Sequence, residues 1–267
     1  YLQNFYKKMK KKILIIVLVL IILLSFSFAI FVFLKYKHNF ENNVLVSSSN
    51  DKIFKTIEKK SSKVDVNWYK SISSDYLVGD APGLDLVIKK IDEIKNNFVC
   101  ANDVELSNSE QINKQNYDPD YYCNLSIDVE YTFSKNLISY IIKSTSFDGG
   151  PRSFVDFQTM TYDKNGKEIF FEDLLNNKKD YLDNFKPKLS AAIKKSFLDL
   201  SGGEVPSDDF IEYLVDTFSF DIPYSINNNG VSFIYTEDKM GSHIFPYINI
   251  FIPYSELKGI LKPEYLP

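Results

Sequence analysis

The stretch that decides the fold is residues 138–175, ISYIIKSTSFDGGPRSFVDFQTMTYDKNGKEIFFEDLL. A first apolar strand runs into Gly149-Gly150, and a second strand with alternating aromatic residues follows it. The chain then turns at Asp163-Lys164-Asn165-Gly166, where glycine can adopt the positive φ that a tight hairpin turn requires. Strands joined by such short connections pair with antiparallel neighbours, so this stretch predicts hairpins rather than a parallel array.

The flanking sequence extends this pattern in both directions. Apolar and polar residues alternate between 123 and 133, which predicts a strand with one face on the core. Apolar residues recur every third or fourth position after Pro82, which predicts a helix to residue 98. The other predicted elements are a strand near 64–69, a helix over 182–197 kinked or restarted at Pro187, a helix capped by Ser207, strands at 218–226, 231–235 and 244–252, and a helix at 256–261. The predicted fold class is α+β, an antiparallel sheet with hairpins packed against a few helices, after an N-terminal transmembrane helix.

The N-terminal segment predicts attachment to a membrane. Residues 13–34 are apolar apart from Ser25 and Ser27, which is long enough to cross a bilayer. Five lysines precede this run and two follow it, so the positive-inside bias places the N-terminus in the cytoplasm and the C-terminal domain outside. A cleaved secretory signal ending at Ala29 is the alternative, and both readings export the folded part.

The predicted membrane segment separates a short basic N-terminal part of the chain from a long acidic C-terminal part. The predicted divisions are 1–12 cytoplasmic, 13–34 membrane-spanning, 35–61 a polar stalk, 62–150 an N-terminal lobe and 151–264 a C-terminal lobe. Residues 1–40 hold seven lysines and no acid, so 24 basic and 35 acidic residues remain, a formal charge of −11 for residues 41–267. Such a field repels nucleic acid and attracts cationic partners.

The cysteine count predicts one disulfide. Cys100 and Cys123 are the only cysteines, and they bound a polar stretch with little apolar surface of its own. An even pair in an oxidising compartment is more often bridged than free. The alternative is two buried thiols.

Several kinds of chemistry lack the residues that they need. His38 and His243 are the only histidines, so a zinc site of the usual ligand set cannot be assembled, and Gly-rich phosphate motifs are absent from the sequence. The Asp163 turn begins like a calcium loop, but its glycine comes two positions early and the later acids are missing. We therefore expect no cofactor, no metal and no catalytic residues. A carboxylate pair of the glycosidase type stays open, since acids are abundant and their separation in space is invisible in sequence.

Two loops are the candidate ligand-binding residues. The first is Asp148-Gly149-Gly150-Pro151-Arg152, which is more flexible than a tight hairpin needs and carries an arginine. The second runs over 236–243 and contributes Met240, Ser242 and His243. Binding residues concentrate in such loops, although a backbone bend and a satisfied surface histidine explain the same residues without a function.

Three motifs together resemble a known bacterial module. They are the Gly149-Gly150 bend, the segment 163–175 with its turn and Glu172-Asp173, and IFIPYSEL at 250–257. The chain is similar over about residues 62–264 to the extracytoplasmic domain of the RsiV-type anti-sigma factor, a receptor for lysozyme, and to a module that precedes the catalytic domain of some peptidoglycan deacetylases. Family members commonly have Ala-His after the glycine pair, where this chain has Pro151-Arg152.

The resemblance implies a binding or sensor module, and because the sequence contains no complete catalytic set we expect that the protein is not an enzyme. Its expected partners are a cationic protein such as lysozyme or another muramidase, or cell-wall glycan, with the membrane contacted through residues 13–34 and no nucleic acid bound. An exported carboxylate-based hydrolase acting on peptidoglycan is one alternative, and a structural envelope protein is another.

Overall fold

The computed structural model describes residues 57–67, 70–100, 123–148, 152–177, 181–201, 206–241 and 245–266. Residues Asn50–Pro267 form one compact unit. The predicted cytoplasmic and membrane segments and most of the predicted stalk lie outside the described residues. Within the described ranges, no helix combines the length and the apolar character that crossing a bilayer requires.

A five-stranded sheet occupies the first half of this unit. Its strands lie in chain order, β1 (Glu58–Asn67), β2 (Lys70–Val78), β3 (Cys123–Ser134), β4 (Leu137–Phe147) and β5 (Phe154–Asp163). All neighbours are antiparallel except β2 and β3, which run parallel because helix α1 (Leu84–Asn97) carries the chain from the end of β2 back toward the start of β3.

One face of this sheet packs on α1 to form the first core. The helix buries Leu84, Val87 and Ile91, as the three-to-four spacing predicts. The sheet contributes the apolar members of the predicted alternation on β3, together with residues of β4 and β5: Leu125, Ile127, Val129, Ile138, Tyr140, Ile142 and Tyr162. The prediction of β3 as a half-buried strand is confirmed.

The second half combines helices with a three-stranded antiparallel sheet. The strands are β6 (Tyr224–Ile226), β7 (Gly230–Thr236) and β8 (Tyr247–Pro253). The helices are α2 (Phe171–Leu174), α3 (Tyr181–Ser201), α4 (Asp208–Asp216) and α5 (Glu237–Met240), and a 3-10 turn at Pro263–Tyr265 follows. Their apolar sides enclose a second and larger core around Phe171, Phe185 and Phe233. The antiparallel-rich α+β class is therefore confirmed.

The edge of β6 that does not pair with β7 meets the polar face of the five-stranded sheet. Ser225 and Ser232 pair across β6 and β7, so the backbone groups of Tyr224 and Ile226 point away from β7. These backbone groups form hydrogen bonds with side-chain hydroxyl groups of the five-stranded sheet. Tyr224 N donates to Thr159 Oγ1 at 2.9 Å, Ile226 N donates to Ser139 Oγ at 3.1 Å, and Ile226 O accepts from Thr132 Oγ1. Hydrogen bonds from side chains thus terminate this sheet edge inside the protein.

Local turn and cap chemistry agrees with the sequence prediction. Asp163 Oδ1 accepts from the backbone of Asn165 at 2.8 Å and of Lys167 at 2.9 Å, while Gly166 has φ of 82°. The hairpin interpretation of this turn is confirmed. Ser207 Oγ accepts from Phe210 N at 3.3 Å, so its predicted role as the cap of α4 is confirmed as well.

Three predicted elements differ in the structure, and one predicted alternative is decided. Residues 64–67 belong to the longer strand β1, which begins at Glu58, and β2 escaped prediction because its sequence, KSISSDYLV, lacks alternation. Of the two forms predicted for the helix over 182–197, the restart at Pro187 is not found, and α3 runs through the proline as a single helix. The strand predicted at 218–226 shrinks to Tyr224–Ile226, because the rings of Phe218 and Phe220 both turn toward Phe171. The predicted helix at 256–261 is a series of turns, interrupted by Gly259 at φ of 81°.

Candidate functional site

An ion pair joins the two loops that the sequence singles out. Arg152 Nη1 donates to Glu237 Oε1, although 85 residues separate them in the chain. Glu237 is the first residue of α5, where a carboxylate is favoured by the helix dipole, and Asp238 beside it accepts from Thr236 Oγ1. Both carboxylates at the start of α5 are therefore engaged.

The arginine also contacts an exposed aromatic ring. Arg152 Cζ lies 5.3 Å from the ring centroid of Phe154, whose residue is 44% exposed. Such a contact at an exposed site is worth about 0.5–1 kcal/mol. The Arg152 side chain is therefore held between Glu237 and Phe154, and the start of β5 is fixed against the end of β7.

The second loop is held from beneath by its methionine. Met240 is 2% exposed and packs in the second core, so its side chain anchors α5. Gly241 ends the helix at φ of 63°, and a Cβ at this position would lie 3.4 Å from the phenolic oxygen of Tyr213 on α4. The loop thereby abuts the exposed side of α4.

A pair of aromatic rings lies near the ion pair of Arg152 with Glu237. Phe157 and Tyr247 have ring centroids 4.6 Å apart, and Lys143 Nζ lies 5.3 Å from the Tyr247 centroid. Tyr247 pairs with Thr236, directly before Glu237. The ends of β4, β5, β7 and β8 therefore converge here, and we call Arg152, Phe154, Tyr213, Glu237 and Tyr247 the two-loop surface.

The disulfide lies at the same end of the first sheet. Cys100 and Cys123 are bonded, both are fully buried, and their Cα atoms are 6.1 Å apart. The carbonyl oxygen of Asp148, in the first candidate loop, lies 3.7 Å from Cys123 Sγ. The predicted bridge is confirmed, and it fixes the start of β3 beside that loop.

The remaining candidate residues are outside the described part of the chain. They are Gly149, Gly150, Pro151, Ser242 and His243. Among the residues that the structure describes, no group of His, Cys, Asp and Glu side chains is arranged to hold a metal ion.

Sequence reasoning missed the aromatic members of this surface. Tyr213 is 44% exposed and stacks on Phe210 with centroids 6.4 Å apart. It falls off the apolar stripe of α4 that Ile211, Leu214 and Val215 bury, and an aromatic residue off the stripe of an amphipathic helix is the signal that could have found it. Phe154 carried no comparable signal, because it sits within an ordinary strand alternation.

Acidic side chains border the same surface. Helix α4 has the sequence DDFIEYLVD, with four acids and no base. Asp208 pairs with Lys194 and Asp216 with Lys186, both at 2.7 Å, and the hydrogen bond from Lys194 holds the pKa of the Asp208 carboxyl below its usual range. Glu212 adds a further exposed carboxylate next to Tyr213. The surroundings of Tyr213 are thus negative.

Comparisons with known proteins show a shared fold. No family model matches the sequence, and the search of curated proteins finds no match. A crystal structure of a DUF3298 family protein from Pseudomonas aeruginosa PAO1 superposes with a TM-score of 0.54 at 17% identity, over 80% of this chain and 97% of that chain. The two proteins share a fold. A DUF3298 family member from Bacteroides fragilis NCTC 9343 gives a TM-score of 0.49 at 15% identity, over 79% of this chain and 95% of that one.

Proposed function

We propose that this chain is a membrane-anchored, non-catalytic binding module that presents residues 41–267 outside the cytoplasm and recognises a cationic protein, with lysozyme or another cationic muramidase as the foremost candidate. The anchor is residues 13–34. The observation that carries the proposal is the ion pair of Arg152 with Glu237, which draws both candidate loops into one surface. The RsiV-type resemblance supplies the class of ligand.

The composition of the two-loop surface suits a protein partner. Exposed aromatic side chains and arginine are the residues that most often contribute binding free energy at interfaces. Phe154 and Tyr213 offer two such rings, and the buried Met240 and the disulfide support the loops around them. A surface that is held in place before binding loses little conformational entropy when the partner arrives.

Charge favours a cationic partner over an anionic one. The part of the chain beyond residue 40 has a formal charge of −11, and the helix that carries Tyr213 has acids only. Long-range attraction of this kind speeds association and weakens as salt screens it. The same field disfavours nucleic acid and anionic lipid.

The electrostatics of the carboxylates give no support to the hydrolase alternative. A glycosidase general acid needs a raised pKa so that it is protonated near neutral pH. Partial burial raises the pKa of Asp75, but hydrogen bonds from Lys59 and Ser61 outweigh burial and the net shift is downward. The shift of Asp208 is downward too. These carboxyl groups are suited to ion pairs rather than to proton donation.

Calorimetry of purified residues 1–267 in detergent with lysozyme tests the proposal. We expect a complex at low salt whose association slows markedly between about 50 and 200 mM salt, because the Debye length shrinks below the spacing of most surface charges. Tyr213→Ala should weaken binding at least about tenfold, whereas Val64→Ala, at a 57% exposed site on β1, should not. No heat and no complex at tens of micromolar would exclude lysozyme.

Two further measurements separate the alternatives. Binding of soluble cell-wall fragments without lysozyme binding would identify the ligand as glycan, for which Phe154 and Tyr213 offer flat apolar faces. Turnover of those fragments would establish the hydrolase. The topology is tested by a reporter fused after residue 267, which should be active only outside the cytoplasm.

A further inference from the structure

The two edge strands of the five-stranded sheet differ in how well they are protected against pairing with a strand of another chain. Strand β1, at one edge, carries Lys59, Lys60 and Lys63, all exposed. Lysines on an edge strand prevent pairing with other chains. Strand β5, at the other edge, has the sequence FVDFQTM over residues 154–160 with Asp156 as its single charge. Residues 154–160 therefore lack the lysines that prevent an edge strand from pairing with another chain.

The backbone groups on the outer side of β5 are identified by the register. Thr161 O accepts from Ile169 N at 2.8 Å and Asp163 N donates to Lys167 O at 2.9 Å, so odd-numbered residues direct their backbone groups away from β4. By the alternation of antiparallel pairing, Val155, Phe157 and Thr159 do the same. Among the described residues, none of these three has a backbone hydrogen-bond partner on that side. The segment 167–169 closes the edge from Thr161 onward, and no backbone group of the described ranges pairs with the outer side of residues 154–160.

We infer that β5 pairs antiparallel with β5 of a second copy of this chain, about a two-fold axis through Phe157. The open stretch is symmetric about Phe157, so Val155 faces Thr159 of the second copy and both strands contribute outward backbone groups. Such a pairing forms about six main-chain hydrogen bonds and joins two five-stranded sheets into one.

The side chains of β5 favour this register, and they favour a second copy of β5 as the paired strand. Within one chain Gln158 Nε2 donates to Asp156 Oδ2 at 3.4 Å. With Phe157 central, Asp156 faces Gln158 of the second copy, so the same carboxylate and amide types meet across the interface, and Phe154 faces Met160. Moving the axis to Asp156 would place two carboxylates opposite each other, which destabilises a strand pair. Moving it to Gln158 would place Val155 opposite Thr161, whose carbonyl oxygen is already occupied by Ile169 N. The strand is therefore complementary to itself in one register.

A proline variant tests the interface without removing a bond inside the protomer. Val155→Pro deletes an N–H that points away from β4, and proline is tolerated on edge strands. Ser153→Pro, just before the paired stretch, is the matched control. We measure the detergent-corrected mass of the full chain by light scattering, so that residues 1–49 are the same in every sample. Wild type and Ser153→Pro should be dimeric at about 100 μM, and Val155→Pro should raise the dimer dissociation constant at least about tenfold.

A charge pair provides the second test, which is independent of proline. Gln158→Glu places a carboxylate opposite Asp156 of the second copy and should weaken the dimer about tenfold, whereas Asp156→Lys combined with Gln158→Glu should restore it. A wild-type chain that stays monomeric at this concentration overturns the inference. So does a dimer that is unaffected by both Val155→Pro and Gln158→Glu.

Discussion

At the residue scale, two tyrosines of the first core differ in one hydrogen bond. Tyr140 and Tyr162 are both fully buried, but Tyr140 OH donates to Pro82 O at 3.0 Å, whereas the Tyr162 hydroxyl has no hydrogen-bond partner among the residues that the structure describes. Burying a hydroxyl without a partner costs about 1–3 kcal/mol. Tyr162→Phe should therefore leave the free energy of unfolding unchanged or raise it, while Tyr140→Phe should lower it by about 1 kcal/mol. Urea unfolding of the two variants measures both, and a larger loss for Tyr162→Phe would contradict the assignment.

The same tyrosine predicts how stability changes in alkali. Burial, with smaller contributions from Glu168 and Asp85, raises the pKa of Tyr162 from 10.0 to about 12. Since the pKa is raised on folding, the neutral phenol stabilises the fold fully below about pH 10, and this contribution is lost as pH rises from about 10 to 12. Absorbance of phenolate near its ultraviolet maximum should show a late-titrating class in the folded protein. Tyr162→Phe should reduce its amplitude by one tyrosine, and an unchanged amplitude would refute the prediction.

At the element scale, the start of α1 depends on one glycine. Gly83 has φ of 75°, and a Cβ there would lie 2.2 Å from the ring of Tyr162. Gly166 has φ of 82°, with nothing within 4 Å of the added Cβ. Gly166→Ala should cost about 1 kcal/mol for the left-handed backbone alone. Gly83→Ala should cost about 1–3 kcal/mol more, because the ring must move. Equal losses in chemical denaturation would show that Tyr162 does not pack against Gly83.

The hydrogen bonds between β6 and the side chains of the five-stranded sheet are a second feature at this scale. Ser139 Oγ accepts from Ile226 N and shares a hydrogen bond with Thr161 Oγ1 at 2.7 Å. Ser139→Ala leaves that buried N–H without its partner, so we expect a loss of about 1–3 kcal/mol and faster amide exchange at Ile226. Ser146→Ala, half-buried on the same strand, is the control and should change stability by less than about 0.5 kcal/mol. Unaltered amide exchange at Ile226 would rule out the hydrogen bond from Ile226 N to Ser139 Oγ.

At the scale of the whole molecule, the disulfide closes a long loop between the end of the segment after α1 and the start of β3. Cys100 and Cys123 are 23 residues apart. Opening the bridge returns conformational freedom to the unfolded chain, so reduction should lower stability by about 3 kcal/mol and the melting temperature by several degrees. Thermal unfolding with and without reductant measures the effect. A Cys100→Ser, Cys123→Ser double variant should melt at the lower temperature and ignore the reductant.

The sequence by itself determined the periodic and local features of this protein. Alternation identified β3, helical spacing identified α1, and the Asp163 turn and the Ser207 cap were readable because their hydrogen bonds close within a few residues. The disulfide was predictable from the number of cysteines and the inferred compartment. Apart from the disulfide, each of these features depends on neighbours in the chain, which a single sequence displays.

The tertiary structure alone decided the features that join distant segments. The approach of Glu237 to Arg152 spans 85 residues, and the hydroxyl groups that terminate β6 come from three strands of another sheet. Core packing of Phe218 overrode a local preference for strand, and the unpatterned β2 formed because it could pair on both sides. Long-range polar contacts and aromatic packing leave no period in the sequence, since their partners are set only when the elements assemble.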